Sequence, residues 1–167
     1  MAVLHILQYP DARLYQKAAT VVKFDANLQL LAKNMAETMY AAPGIGLAAT
    51  QVDIHQQLIV IDISAERNQL QVFVNPKILE RDGMQFYEEG CLSVPGVYED
   101  VERAQHIKVR AKSLTGEAFV LEAEDLLAVC IQHEMDHLQG KVFVDYLSRL
   151  KQSRIKARMQ KQQRRTA

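Results

Sequence analysis

The chain lacks tryptophan, has only two cysteines, and shows no apolar run near the roughly 20 residues that a membrane-spanning helix needs. Its opening residues, MAVLHILQYPDARL, have no basic leader, long apolar stretch or small-residue cleavage site. We therefore expect no signal peptide and a cytoplasmic protein that makes no membrane contact. In a reducing compartment, the pair Cys91 and Cys130 is better interpreted as one ligand plus one buried thiol, without deciding which is which, than as a disulfide.

The sequence has 167 residues, of which 49% are hydrophobic, enough for the core of one domain. Its net charge of zero hides an uneven distribution, because eight basic and no acidic residues follow Ser148. The remainder holds 12 basic and 20 acidic residues, a net charge of −8. We divide the chain into a main body, 1–147, and a basic C-terminal helix or tail of the same domain, 148–167. Such a tail indicates either a polyanionic partner or a solvated terminal helix.

Hydrophobic periodicity predicts helices at the two ends of the strand region. The first helix is capped by Asp25 and ends before Pro43 and Gly44. Another runs over 124–138 and stops at Gly140, and the tail is predicted to be helical from about Leu147. The apolar positions of the first helix and of the tail are Leu28, Leu31, Met35 and Met39, and Leu147, Leu150, Ile155 and Met159.

Segments 58–63, 70–76 and 105–112 are predicted to be strands, because they are rich in β-branched residues or alternate apolar with polar ones. Since these strands are grouped ahead of helix 124–138, the predicted class is α+β. We expect mixed or antiparallel strands packed around a central metal-binding helix, with a C-terminal helix. No internal repeat or domain boundary is evident.

The stretch QHEMDHLQG places His133 and His137 one helical turn apart, so both can bind one metal ion while Glu134 lies beside it. This HExxH pattern leaves the third ligand open. One class of zinc peptidase needs a histidine where Phe143 stands, and no acidic residue beyond Asp145 could supply a downstream carboxylate. The remaining ligand therefore comes from upstream, unless Asp145 bends back.

Two cysteines are candidates for that position. Cys130 lies about 10.5 Å from His137 along a helix axis, and helical side chains lean toward the N-terminus, so its thiol points away from the histidine pair. Cys91 lies in EEGCLSVPG, where an irregular segment could bring a thiolate against the helix. A thiolate with two imidazoles suits a divalent transition metal and leaves a position for water. On these grounds Cys91 is equally compatible with a ligand and with a buried thiol.

Three motifs in order, GIGLAATQ (44–51), EGCLS (89–93) and QHEMDH (132–137), resemble those of the bacterial peptide deformylases. The opening ILQYPDARL is similar to the N-terminal segment of the same family. The resemblance covers most of the chain and implies that Cys91, His133 and His137 hold the metal. In that family the metal is Fe²⁺, and Zn²⁺, Ni²⁺ or Co²⁺ can also occupy the site.

The implied function is hydrolysis of the N-formyl group from the N-terminal formyl-methionine of newly made polypeptides. Glu134 would take the proton of the attacking water and return it to the leaving amine. The Gln51 side chain and the Leu92 backbone N–H would stabilise the oxyanion. By family position, the substrate-binding residues are Ile45, Gly46, Glu89, Leu126, Val129 and Cys130, together with His133. Tyr98 stands where some bacterial members have an arginine, so that arginine's role does not carry over.

Two alternative functions are compatible with the same residues. A general metallopeptidase would cleave internal peptide bonds, and a nucleic-acid-binding module would close a structural metal site with Cys130 as fourth ligand. The position of Cys130 and the presence of Glu134 favour an enzyme over the structural metal site, and activity on N-formyl peptides distinguishes a deformylase from a general metallopeptidase. Because formyl groups are removed from chains emerging from the ribosome, the basic tail is predicted to dock on ribosomal RNA. The alternative is that its apolar stripe only packs on the body.

Overall fold

The computed structural model describes residues 2–166. Its helices are α1 (Ala26–Ala41), α2 (Asp125–Leu138) and α3 (Arg149–Thr166). Its strands are β1 (Gly46–Ala48), β2 (Leu58–Ile61), β3 (Gln71–Asp82), β4 (Gln85–Cys91), β5 (Val94–Arg103), β6 (His106–Lys112) and β7 (Ala118–Glu124). Short 3-10 helices span Ala12–Tyr15, Ala49–Val52 and Phe143–Tyr146. Over the described range, no helix is both long and apolar enough to cross a membrane.

Two antiparallel sheets surround α2. The larger sheet has the strand order β1-β2-β3-β6-β7, and β4 pairs with β5 in a separate hairpin. In β2, Leu58 and Val60 pack in the cluster that contains α1, whereas Ile59 and Ile61 pack in the cluster that contains α2. Because successive strand side chains point to opposite faces, one strand serves both cores. The α+β class with a central HExxH helix is confirmed.

Local sequence signals set the ends of the predicted helices. The Asp25 side chain accepts a hydrogen bond from the Leu28 N–H at 3.1 Å, and α1 ends before Pro43. After α2, Gly140 has φ +78°, and the N–H groups of Gly140 and Lys141 donate to the carbonyls of His137 and Asp136. This pair of bonds is the Schellman motif, which favours glycine at that position. The helix therefore ends directly after the turn that carries His137.

The strands are predicted less completely. Segments 58–63, 70–76 and 105–112 correspond to β2, the first half of β3 and β6, but β1, β4, β5 and β7 are not predicted. The expectation of an irregular segment around Cys91 is wrong. Cys91 ends β4 and pairs with Val94 across a two-residue turn, after a register shift that follows Glu89. The glycines and proline nearby interrupt the alternation by which such a hairpin is recognised.

Helix α3 packs on the body through part of its predicted stripe. Ile155 and Met159 are buried in a cluster with Val97 and Phe143, and Leu147 packs against the same cluster. The prediction for Leu150 is wrong, since its side chain is 61% exposed. Five helical positions separate Leu150 from Ile155, which places the two about 140° apart around the axis. The basic residues lie mainly on the exposed sides of the helix.

Candidate active site

Helix α2 and the β4–β5 hairpin bring the three predicted metal ligands together. The donor atoms of Cys91, His133 and His137 lie within 4.8 Å of one another. Cys91 Sγ is 3.3 Å from His137 Nε2, and the two imidazole rings are 5.0 Å apart between centroids. His137 is fully buried and His133 nearly so. The hairpin thus places beside the helix the sulfur of a cysteine that lies 42 residues earlier in the chain than His133.

A buried network orients His133. Its Nδ1 lies 2.8 Å from Glu89 Oε1, and Arg103 donates to both oxygens of Glu89 at 2.8 and 2.9 Å. Arg103 also donates to Asp136, which accepts a hydrogen bond from the Tyr146 hydroxyl. Burial raises the pKa of Glu89, but the bonds from Arg103 and His133 outweigh it, so the pKa lies below its usual value. An ionised Glu89 holds the proton of His133 on Nδ1 and leaves Nε2 for a metal.

The charges around the histidines suit a metal cation. Burial lowers the pKa of His137 well below its ordinary value, which keeps the imidazole neutral as metal binding requires. Burial also lowers the pKa of His133, but Glu134 and Cys91 raise it more strongly, to well above its usual value. The negative surroundings that favour a proton there would equally favour a metal ion. A sulfur and two imidazole nitrogens fit a divalent first-row transition metal.

Glu134 lies beside the donors without belonging to their group. It is 5% exposed, its Oε1 finds no hydrogen-bond partner among residues 2–166, and it lines the same cavity as His133. Burial raises the pKa of Glu134 to about 7. A buried carboxyl group with this pKa is suited to accept and return a proton near neutral pH.

Gln51 approaches the site from the 3-10 helix after β1. Its side-chain oxygen accepts from the Ala48 N–H at 2.9 Å. Its amide nitrogen lies 3.0 Å from Ser93 Oγ and 3.5 Å from Cys91 Sγ. Because the backbone N–H of Ala48 can only donate, the amide atom that it contacts is the oxygen of Gln51. The N–H groups of Gln51 therefore point toward the hairpin turn that contains Leu92.

A cavity of about 560 Å³ opens beside these groups. Every residue predicted to bind substrate lines it, namely Ile45, Gly46, Glu89, Leu126, Val129 and Cys130, together with His133. Glu89 has both carboxylate oxygens engaged by Arg103 and His133, which points to an orienting role. Tyr98 also lines the cavity and is 64% exposed.

Cys130 belongs to the wall of the cavity and to the core. It packs with Ile131 and the sheet residues Ile59 and Ile107, and burial raises the pKa of its thiol. In the described part of the chain it lies outside the group of possible metal donors. The closed four-ligand site that a structural metal would need is therefore not assembled among these residues.

Sequence reasoning missed Arg103, Asp136 and Ser93, which hold the side chains around the site. Arg103 could have been recognised had β5 been predicted. The same face of β5 carries Val97, Val101 and Arg103, and all three are buried. An arginine therefore continues a row of inward-facing valines. A buried arginine requires an acidic partner, which Glu89 and Asp136 provide.

Known proteins resemble this chain over nearly its full length. Residues 3–153 match the family model for polypeptide deformylase. A peptide deformylase 1 of Burkholderia multivorans is 61% identical, covering 98% of this chain and 91% of the relative, and a peptide deformylase of Chromobacterium violaceum is 58% identical, covering 98% of each. The crystal structure of a peptide deformylase from Legionella pneumophila has a TM-score of 0.94 at 45% identity, covering 99% of this chain and 98% of that one. The chain therefore belongs to the polypeptide deformylase family.

Proposed function

We propose that this chain removes the N-formyl group from the N-terminal formyl-methionine of newly made polypeptides, with Cys91, His133 and His137 as ligands of its metal. The observation that supports this assignment best is that these three donors converge, and that two of them, Cys91 and His133, line the same cavity as Glu134. When bound, a divalent metal ion would polarise the formyl carbonyl and activate the attacking water. Fe²⁺ is the proposed metal, and Zn²⁺, Ni²⁺ or Co²⁺ could occupy the same donors.

The protein's own groups account for proton movement and charge stabilisation. Glu134 accepts a proton from the water that adds to the formyl carbon, and the carbonyl oxygen gains negative charge. The Gln51 amide and the Leu92 backbone N–H donate hydrogen bonds to that oxygen. Glu134 then returns its proton to the amine nitrogen as the carbon–nitrogen bond breaks, so formate and a free N-terminus are released.

The cavity suits an extended peptide that begins with methionine. Leu126, Val129 and Cys130 provide an apolar wall for the methionine side chain. Within the described part of the chain, β1 is an outer strand of the larger sheet and β4 pairs with β5 alone, and residues of both β1 and β4 line the cavity. A peptide lying between two such strand edges can form backbone hydrogen bonds that do not depend on its sequence.

Formate release tests this function. Anaerobically purified protein loaded with Fe²⁺ is expected to release formate from a formyl-Met-Ala-Ser peptide and to leave the acetylated peptide intact. The competing function, a general metallopeptidase, predicts cleavage of internal bonds instead. Internal fragments without formate, seen by mass spectrometry, would overturn the proposal.

We further propose that α3 docks the enzyme on the ribosome, in the cytoplasm, where formylated chains emerge. Exposed basic residues cover this helix, and Ile155 and Met159 anchor it to the body. Ribosomal RNA is a polyanion, and the rest of the chain carries a net charge of −8, so α3 is the segment whose charge favours contact. Packing and docking thus use different sides of one helix.

Charge neutralisation separates these two roles. The docking variant changes five exposed residues to glutamine: Arg154, Lys156, Lys161, Arg164 and Arg165. It is expected to lose salt-sensitive co-sedimentation with ribosomes while turnover on a short formyl peptide stays unchanged. Lys151 is left intact because its ammonium group contacts Glu99 at 3.0 Å. Ribosome binding equal to that of the unmodified chain at low salt would contradict the docking proposal.

A further inference from the structure

Three residues outside the cavity lining contact one another behind the cavity wall, through a hydrogen bond and a cation–π contact. Tyr40 lies in the last turn of α1, and Asp62 and Arg67 belong to the loop that follows β2. We call Tyr40, Asp62 and Arg67 the rim clasp, because they hold the segment 43–46. That segment contributes Pro43, Gly44, Ile45 and Gly46 to the cavity lining.

Asp62 is the fixed centre of the rim clasp. It is 1% exposed and accepts hydrogen bonds from the Tyr40 hydroxyl at 2.6 Å, from the Ser64 N–H at 2.9 Å and from the Gln69 N–H at 3.2 Å. Burial raises the pKa of Asp62, but the bonds from Ser64 and Tyr40 outweigh it and lower the pKa to about 2. The carboxylate is therefore ionised throughout the neutral range.

Arg67 joins this centre to the cavity wall. Its guanidinium carbon lies 5.0 Å from the centroid of the Tyr40 ring, and its Nη2 donates to the Gly44 carbonyl at 2.9 Å. The Asp62 N–H donates to the Ile45 carbonyl at 2.9 Å, so two successive carbonyls of the wall are bonded on this side. Arg67 has φ +55°, a left-handed conformation that non-glycine residues keep only where the surrounding contacts enforce it.

The other side of the same segment faces the catalytic groups. A Cβ placed on Gly44 would lie 2.6 Å from Leu92 Cδ1, and one placed on Gly46 would lie 2.5 Å from Glu134 Oε2. Segment 43–46, the wall of the cavity on this side, therefore fills the space between the rim clasp and the residues proposed to carry out the reaction. A displacement of a few tenths of an ångström there would change how closely a peptide backbone can approach.

We infer that Arg67 is a positioning residue, which through the Gly44 carbonyl holds the 43–46 wall in the place where a substrate peptide binds. This inference rests on the proposed deformylase function. Arg67 lies outside the cavity lining and acts only through the backbone that it holds. The rim clasp should therefore affect substrate binding more than the chemical step.

Steady-state kinetics on formyl-Met-Ala-Ser test this role. Arg67→Ala removes the bond to Gly44 and is expected to raise KM about 3- to 10-fold, with kcat within about twofold and metal content unchanged. Arg67→Lys keeps a cation over the Tyr40 ring and a donor toward Gly44, so its KM should lie between that of the unmodified chain and that of Arg67→Ala. Arg13→Ala is the control, since it removes an arginine that makes ion pairs with Asp11 and Asp53 and that lies outside the described cavity lining.

Amide hydrogen exchange gives a readout that needs no turnover. Arg67→Ala should speed exchange in segment 43–48 relative to the Arg13→Ala control and leave α2 unchanged. If KM and exchange both match the unmodified chain, the positioning role is wrong. A fall in thermal stability with unchanged KM would show that the rim clasp is only structural. If the unmodified chain releases no formate, the proposed function fails, while exchange still decides whether Arg67 holds the wall.

Discussion

The buried carboxylate of Glu134 is the residue on which the proposed chemistry depends most. Because Glu134 is outside the metal-donor group, Glu134→Ala should keep the metal and lose activity. Loss of general acid–base catalysis lowers turnover by about 10²- to 10⁴-fold. Metal analysis and formate release should be measured on the same sample. Near-normal turnover in Glu134→Ala would remove this residue from the mechanism.

Gly46 has a steric role next to that carboxylate. Gly46→Ala would place a Cβ 2.5 Å from Glu134 Oε2, so the carboxylate must move. We expect turnover to fall at least tenfold, by an amount that depends on how far Glu134 is displaced. Turnover is measured for each single variant and for the double variant. The double variant should be no slower than Glu134→Ala alone, whereas multiplying effects would show that Gly46 acts on something other than Glu134.

At the scale of single residues, the sequence predicts what depends on local spacing. His133, Glu134 and His137 follow from the helical repeat alone, because one turn brings positions four apart together. Cys91 is different, since its place beside His137 depends on a hairpin 42 residues before His133. Residue spacing is equally compatible with Cys91 as a metal ligand and as a buried thiol, and the family resemblance selects the metal ligand. The Glu89–Arg103–Asp136 network is harder still to predict, because three separate segments must fold before its members meet.

At the scale of elements, helix α3 is expected to stabilise the body through Met159. This side chain is fully buried in the cluster that also contains Phe143. Met159→Ala should lower the free energy of unfolding by about 2–5 kcal/mol, as is typical for buried large-to-alanine changes. Leu150→Ala is the control, because Leu150 is exposed and should change stability by less than about 0.5 kcal/mol. Equal midpoints in urea for both variants would show that α3 does not contribute to the core.

Helices were predicted more accurately than strands for a physical reason. The ends of α1 and α2 are marked by Asp25 and Gly140, which act within a few residues of themselves. Strand pairing depends on distant partners, and β4 and β5 carry exposed residues on much of their length, so their alternation is weak. β1 is only three residues long and buried throughout, which leaves no period to detect.

At the scale of the whole molecule, α2 lies where three parts of the chain meet. The larger sheet packs against it, the β4–β5 hairpin supplies Cys91, and the segment after β1 supplies Gln51. The proposed metal donors and the proposed general base therefore lie on regular elements or at their ends, and residues of both sheets and of α2 line the cavity. The proposed site therefore forms only when these three parts of the chain have folded together.

The central claim is that Cys91, His133 and His137 form an open metal site, and metal stoichiometry tests it most directly. Matched samples of the unmodified chain, Cys91→Ser and Cys130→Ser are loaded with Fe²⁺ without oxygen, dialysed and analysed for bound metal. We predict about one equivalent in the unmodified chain and in Cys130→Ser, and clearly less in Cys91→Ser, because of the two cysteines it is Cys91 that belongs to the donor group found among the described residues. Equal metal loss in the two variants would contradict the account and favour a closed site with both cysteines as ligands.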